Sequence, residues 1–290
     1  MLKQAFPVVR LKDWNEDAHP RAPAGTGEGG QFTSDGGAEH MLDLPSSSYH
    51  PLHPSGVDTL HQFSDGEGHF TKERIALHDE IISKFLGTAT EVKNPEALIL
   101  GGGPGTGKST LVNLEGLHKP NMLLINTDDI RALLPELKEG KPAFFSHEEA
   151  SHIGKQLRIA AGKRNILLDG TGDSSLENLG GKVAMMRATG HSIVAEYVNA
   201  PTDVALERAQ QRAARTGRQV PVTVLRETHA AVSRVFPEAV RQGLFDRARL
   251  WDVSGPKGSK PTLVLSAIGK KMTVHNEVLW QAFLAKGHKK

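Results

Sequence analysis

One stretch, "LILGGGPGTGKST" from Leu98 to Thr110, restricts the fold more than anything else in the chain. A short apolar run leads into Gly102–Ser109, which fits G-x-x-x-x-G-K-[ST], and a helical pattern follows. That context gives the motif its physical meaning. Glycines let backbone N–H groups turn inward around phosphate oxygens, and the start of the following helix adds its partial positive charge. Lys108 is expected to bridge the β- and γ-phosphates of a nucleotide, and the Ser109 hydroxyl to ligate Mg²⁺. Gly103, Pro104, Gly105, Thr106, Gly107, Lys108, Ser109 and Thr110 form the candidate cradle.

Such a loop needs a parallel sheet behind it. Four apolar runs, "ALILG", "MLLIN", "NILLDG" and "SIVAEYVN", alternate with helical patterns, which argues for a mainly parallel sheet with helices on both faces. "ARLWDVS" and "PTLVLSA" read as further strands, and "HNEVLWQAFLAKG" as a closing helix. Ahead of the loop, "TKERIALHDEIISKFLG" reads as a helix, with Ile75, Ile82, Phe85 and Leu86 at helical spacing and Gly87 as its stop. Order is expected to begin near Thr71. Residues 1–68 are rich in Gly, Pro, Ser and Thr, with too few apolar side chains to offset the entropy of ordering the backbone. The expected division is therefore a low-complexity segment over 1–68 and an α/β domain over 69–290.

The rest of the composition mainly excludes. Among 290 residues there is no cysteine, which rules out disulfides, thiolate metal sites and a cysteine nucleophile. No apolar run approaches the length of a membrane span, and the N-terminus lacks the pattern of a secretory signal. These features suggest the cytoplasm, without a membrane or nucleic-acid partner. The formal net charge is +2; its basic C-terminal end reads as a solvated tail. Histidines 19, 40, 50, 53, 61 and 69 have no compact metal-ligand spacing.

Three further elements fall where a parallel sheet collects its ligands, at the C-terminal edge of the strands. "RNILLDGTG" places Asp169 after a strand, as a carboxylate for Mg²⁺. "LLINTDDIRALLPE" brings Asn126, Asp128 and Asp129 to the same edge. Phosphoryl transfer to a hydroxyl needs one carboxylate to orient the nucleophile and take its proton, and the pair does not by itself say which. "DVALERAQQRAARTGRQVP" puts Arg208, Arg212 and Arg215 on one helical face, with Arg218 beyond Gly217. Arginines on a helical lid stabilise the charge spread over a transferring phosphoryl group.

The order of these motifs closely resembles the zeta toxin family of P-loop kinases. The likeness runs from about Ala97 to Val253 and is carried by "GGGPGTGKST", "INTDDIRALLPE", "SHEEASHIGKQL", "NILLDGTG", "ERAQQRAARTGRQVP" and "ETHAAVSRVFPE". It implies a P-loop kinase-type three-layer fold with a helical lid. It also implies ATP and Mg²⁺ as cofactors and transfer of the γ-phosphate to a nucleotide-type acceptor such as UDP-N-acetylglucosamine, or NAD as in some relatives. Carried over by position, the catalytic aspartate is Asp128, with Lys108, Arg208 and Arg218 acting on the phosphates and Arg212 sharing that work. Asn126, Asp129, Arg131, Glu148 and Thr171 fall on the acceptor side, and Ser109 and Asp169 on the metal. The resemblance further implies an antitoxin that blocks the nucleotide site. A second likeness, of "AHPRAPAGTGEGGQFTS" to an element of phage structural proteins, implies a phage or prophage origin and a tether to a particle. The alternative functions are a particle-associated nucleotide-binding module and an ATPase or GTPase switch.

Overall fold

The computed structural model describes residues 58–64, 69–141, 143–170, 175–216, 220–255 and 259–288. The "AHPRAPAGTGEGGQFTS" segment, Thr171 and Arg218 lie outside them. The four apolar runs are strands: β1 Glu96–Gly101, β2 Met122–Asn126, β3 Asn165–Asp169 and β4 Ser192–Asn199. With β5 Arg247–Asp252, β6 Thr262–Ile268 and β7 Lys271–Val274 they form one seven-stranded sheet in the order β2-β3-β1-β4-β5-β6-β7. The first five strands run parallel, and β6 and β7 close one side as an antiparallel hairpin.

Side chains alternate across this sheet with the period of two that a strand imposes. Ala97 and Ile99 of β1, Leu123 and Ile125 of β2, Ile166 and Leu168 of β3 and Ile193, Ala195 and Tyr197 of β4 enter the larger core. Leu98, Leu100, Leu167, Val194 and Val198 face the smaller one with Trp251. Both faces are buried, so the strands read as nearly continuous apolar runs. On the larger face lie α2 Lys72–Leu86, α4 Thr127–Arg131, α6 His147–Ala160, α7 Leu176–Ala188, α9 Val222–Gln242 and α10 Glu277–Gly287. Leu111 of α3, Lys108–Leu114, fills the smaller core. A third cluster joins Ala205 and Ala209 of α8, Thr202–Thr216, to Leu225 of α9. The α/β P-loop architecture expected from the sequence is the one observed.

Helix ends follow local chemistry. Thr71 and Ser175 accept from backbone N–H groups three residues on, Arg74 and Asn178, at 3.3 and 3.1 Å, and Gly243, at φ 76°, ends α9 in the left-handed conformation that glycine adopts freely.

The structure departs from the sequence reading in three places. Order among the described residues begins before Thr71: α1, Thr59–Phe63, is capped by Asp58 and packs against α6. Ile75, one of the apolar residues at helical spacing in α2, is 46% exposed, while Arg74 and His78 are buried. Carboxylates described below make those polar residues the ones that face inward. Strand β7 has no counterpart in the sequence reading. It is a four-residue edge strand whose side chains are mostly exposed, and so carries little apolar signal.

Candidate active site

The cradle is built where β1 runs out. Residues 102–107 turn back on themselves with Gly102, Gly105 and Gly107 at φ 132°, 76° and 92°, and Lys108 opens α3. At Gly105 an added Cβ would sit 2.1 Å from the Ala205 carbonyl oxygen, so neither its φ nor its space admits a side chain. Two loop carbonyls are held from within: Lys108 Nζ donates to Gly102 O at 2.8 Å and Thr106 Oγ1 to Gly103 O at 2.9 Å. A third is held from outside the loop: the His229 ring lies 2.9 Å, through Nε2, from Pro104 O. Ser109 and Thr110 are exposed on the first turn of α3.

The acidic elements stand beside this loop because β3 is the hydrogen-bonded neighbour of both β1 and β2. Asp169 aligns with Leu100 on one side and Asn126 on the other. Asn126 Nδ2 donates to Asp169 Oδ2 at 2.8 Å, while Asn126 Oδ1 caps α4 by accepting the Asp128 N–H at 2.8 Å. One amide thus ties the third strand to the helix that carries the acidic pair. Burial pushes the Asp169 carboxyl above its ordinary value; Lys108 and the Asn126 bond oppose the shift, and Asp129 adds to it. A divalent cation would relieve that cost, and the donors on offer, a carboxylate and a hydroxyl, are the hard oxygens that Mg²⁺ takes. Asp169 and Ser109 therefore fit such an ion.

Asp128 is the member of the acidic pair with a fixed partner. Its Oδ1 lies 2.9 Å from an Arg131 guanidinium nitrogen one turn on. Burial lowers the pKa of Arg131. The adjacent Asp129 is exposed on the same turn. Ile130, the next residue, packs on α6 at Gly154, where a Cβ would meet its Cδ1 at 3.4 Å. Glu148, in the first turn of α6, is buried.

On the far side of the loop, Arg208 of α8 donates to Val253 O at 2.8 Å. Its guanidinium comes within 3.7 Å of the Cβ position of Gly107. Arg212, one turn along, is half-buried. The structure thus brings the loop, Asn126, Asp128, Asp129, Arg131 and Asp169 to one edge of the sheet, with Arg208 behind the loop.

Two features escaped the sequence reading. His229 stands under the loop, and its signal was a polar residue on the apolar face of "ETHAAVSRVFPE", in line with the buried Leu225, Val232 and Phe236. Behind α6 lies a buried ionic cluster. Arg74 Nε and a terminal nitrogen reach Glu149 at 2.5 and 2.6 Å, Arg74 also pairs with Glu136 at 2.8 Å, and His78 Nε2 reaches Glu149 at 2.7 Å.

Comparison with known proteins points the same way. The sequence profile described as zeta toxin matches residues 80–256. No curated protein sequence matches. Among solved structures, a chain of the AvrRxo1-ORF1:AvrRxo1-ORF2 complex with ATP superposes with a TM-score of 0.62 at 17% identity, over 81% of this chain and 78% of that one. A chain of the PezAT toxin–antitoxin system of Streptococcus pneumoniae gives 0.57 at 14% identity, over 76% of this chain and 95% of that one. At such identities these likenesses establish the fold.

Proposed function

The chain belongs to the zeta toxin family of P-loop kinases, and from that premise we propose that it transfers the γ-phosphate of ATP to a hydroxyl of a nucleotide-sugar acceptor, UDP-N-acetylglucosamine being the first candidate, and acts as a toxin. The observation that carries this reading is the hydrogen-bonded path from Asp169, beside Lys108, through Asn126 to Asp128. It sets a phosphate cradle and a carboxylate for an incoming hydroxyl on one strand edge. The paired acids beside the cradle suit activation of a hydroxyl better than the positioning of a water by a hydrolytic switch.

In this mechanism the loop N–H groups and Lys108 hold the β- and γ-phosphates. Asp128, steadied by Arg131, orients the acceptor hydroxyl in line with the γ-phosphorus and takes its proton as the new O–P bond forms and the bond to ADP breaks. Arg208, with Arg212 and Arg218, stabilises charge on the transferring group. Asn126, Asp129, Glu148 and Thr171 contact the acceptor. Mg²⁺ held by Ser109 and Asp169 would neutralise charge on the phosphates. Related folds solved as toxin–antitoxin pairs support an antitoxin as the protein partner.

The test is incubation of the purified chain with γ-labelled ATP, Mg²⁺ and a panel of UDP-N-acetylglucosamine, NAD and free nucleosides. Label is expected on the sugar nucleotide. Asp128→Ala should keep ATP binding and lose transfer by ~10²–10⁴-fold, the range for a positioned acid or base, whereas Lys108→Ala should weaken both. Wild-type turnover by Asp128→Ala would overturn the assignment, and label on NAD alone would replace the acceptor.

A further inference from the structure

We propose that His229 is a positioning residue for phosphate binding: its Nε2–H holds the Pro104 carbonyl beneath the loop and so aims the Gly105 N–H at the nucleotide phosphates. A trans peptide points its C=O and N–H in opposite directions. The described chain has no cis bond, so an anchor on Pro104 O, at 2.9 Å from Nε2, fixes where the Gly105 N–H points. Gly105 has φ 76°, a region open to a glycine peptide in more than one orientation.

The ring is well placed for this work. His229 is 3% exposed on the inner face of α9, and its Cδ2 lies 2.2 Å from where a Cβ on Gly103 would be. It therefore seats against the loop backbone with no intervening side chain. Its own backbone carbonyl accepts from Ser233 Oγ at 2.9 Å. Burial lowers its pKa to about 4, so a neutral imidazole with the proton on Nε2 is the form that meets Pro104 O. Among the described residues, side chains hold three loop carbonyls, and only this one is held by a residue outside the motif.

The inference rests on the kinase reading of the loop, and the experiment separates the two. Affinity for the non-hydrolysable analogue β,γ-methylene-ATP is measured by calorimetry, and unfolding temperature without nucleotide, for wild type, His229→Phe and His229→Gln. Phenylalanine keeps the ring and loses the donor; glutamine loses the ring and keeps an amide N–H of similar reach. Loss of one aimed hydrogen bond predicts about tenfold weaker binding for His229→Phe with a melting temperature lowered by a few degrees, and recovery of binding to within about threefold in His229→Gln. A residue that only packs gives the reverse: near-normal binding by the phenylalanine variant and a destabilised glutamine variant. That outcome overturns the proposal. Should His229→Phe fail to fold, His229→Gln against His229→Asn makes the same comparison, since the asparagine amide ends short of Pro104, and equal affinities would refute the anchor. Failure of the wild-type chain to bind the analogue would instead remove the kinase reading, and this inference with it.

Discussion

Replacing Glu149 tests the ionic cluster behind the site. Its side chain is fully buried and meets Arg74 twice, at 2.5 and 2.6 Å, and His78 at 2.7 Å. Removing the carboxylate leaves the buried Arg74 guanidinium with Glu136 alone, and breaking a buried pair in this way costs roughly 3–5 kcal/mol. The ionisation of Glu149 bears on the same quantity. Burial by itself would raise the Glu149 pKa, yet the bonds to Arg74 and His78 bring it down from 4.5 to about 2. Because the folded value is depressed, the contribution is fully present above pH 4.5 and is lost as pH falls through 2. The difference corresponds to about 3 kcal/mol at pH 7 and about 1 kcal/mol at pH 3. Arg74, whose pKa rises, reports the same interaction and is not added. The expected loss for Glu149→Gln is therefore about 3 kcal/mol, a fall of roughly 6–12 °C in melting temperature for a domain of this size. Urea denaturation followed by circular dichroism at pH 7 and again at pH 3 gives both numbers. A variant within about 0.5 kcal/mol of wild type at pH 7, the range of an ordinary surface substitution, would refute the reasoning; so would a deficit that does not shrink at pH 3.

Two further substitutions probe the cradle and the metal. Gly105→Ala should abolish measurable ATP binding in calorimetry, since the new Cβ lies 2.1 Å from Ala205 O at a φ of 76°. The rest of the chain should stay folded by circular dichroism, as the clash is confined to the loop and the start of α8. Asp169→Asn removes the charge whose burial is costly, so the unliganded protein should be no less stable. Transfer should fall at least tenfold and respond less to Mg²⁺ concentration, read as initial rate against metal at fixed ATP.

What the sequence revealed was what neighbours in the chain decide. The loop, the four parallel strands, Gly87 after α2 and the closing helix all follow from spacing, glycine and capping chemistry within a few residues. Even Asp169 and Asn126 could be placed on one edge, because every parallel strand ends there. Their direct hydrogen bond could not be read, since it depends on β3 lying between β1 and β2. The departure at α2 has the same origin. Arg74 and His78 look like solvent-facing residues until Glu136 and Glu149, 62 and 75 positions from Arg74, are brought against them. Polar residues with distant partners carry no periodic signal, and His229 escaped for that reason too.

The two halves of the site rest on different supports. The cradle leans on α8 through Ala205 and on α9 through His229, and both helices pack together in one cluster at Leu225. The acceptor side leans elsewhere: α4, with Asp128, packs on α6 at Gly154, and α6 is fixed through Glu149 to Arg74 and His78 of α2. Glu136, after α4, closes the same ring onto Arg74. Helix α2 is thus a brace for the helix that carries Asp128 rather than an appendage to the sheet. Among the described residues, the Asn126–Asp169 bond and the strand edge join the two supports around the reacting centre. Weakening the brace should therefore displace the carboxylate from the hydroxyl while the phosphates still bind, which raises the acceptor KM and leaves the ATP affinity of Glu149→Gln near that of wild type. Equal losses in both would mean that the halves move as one body.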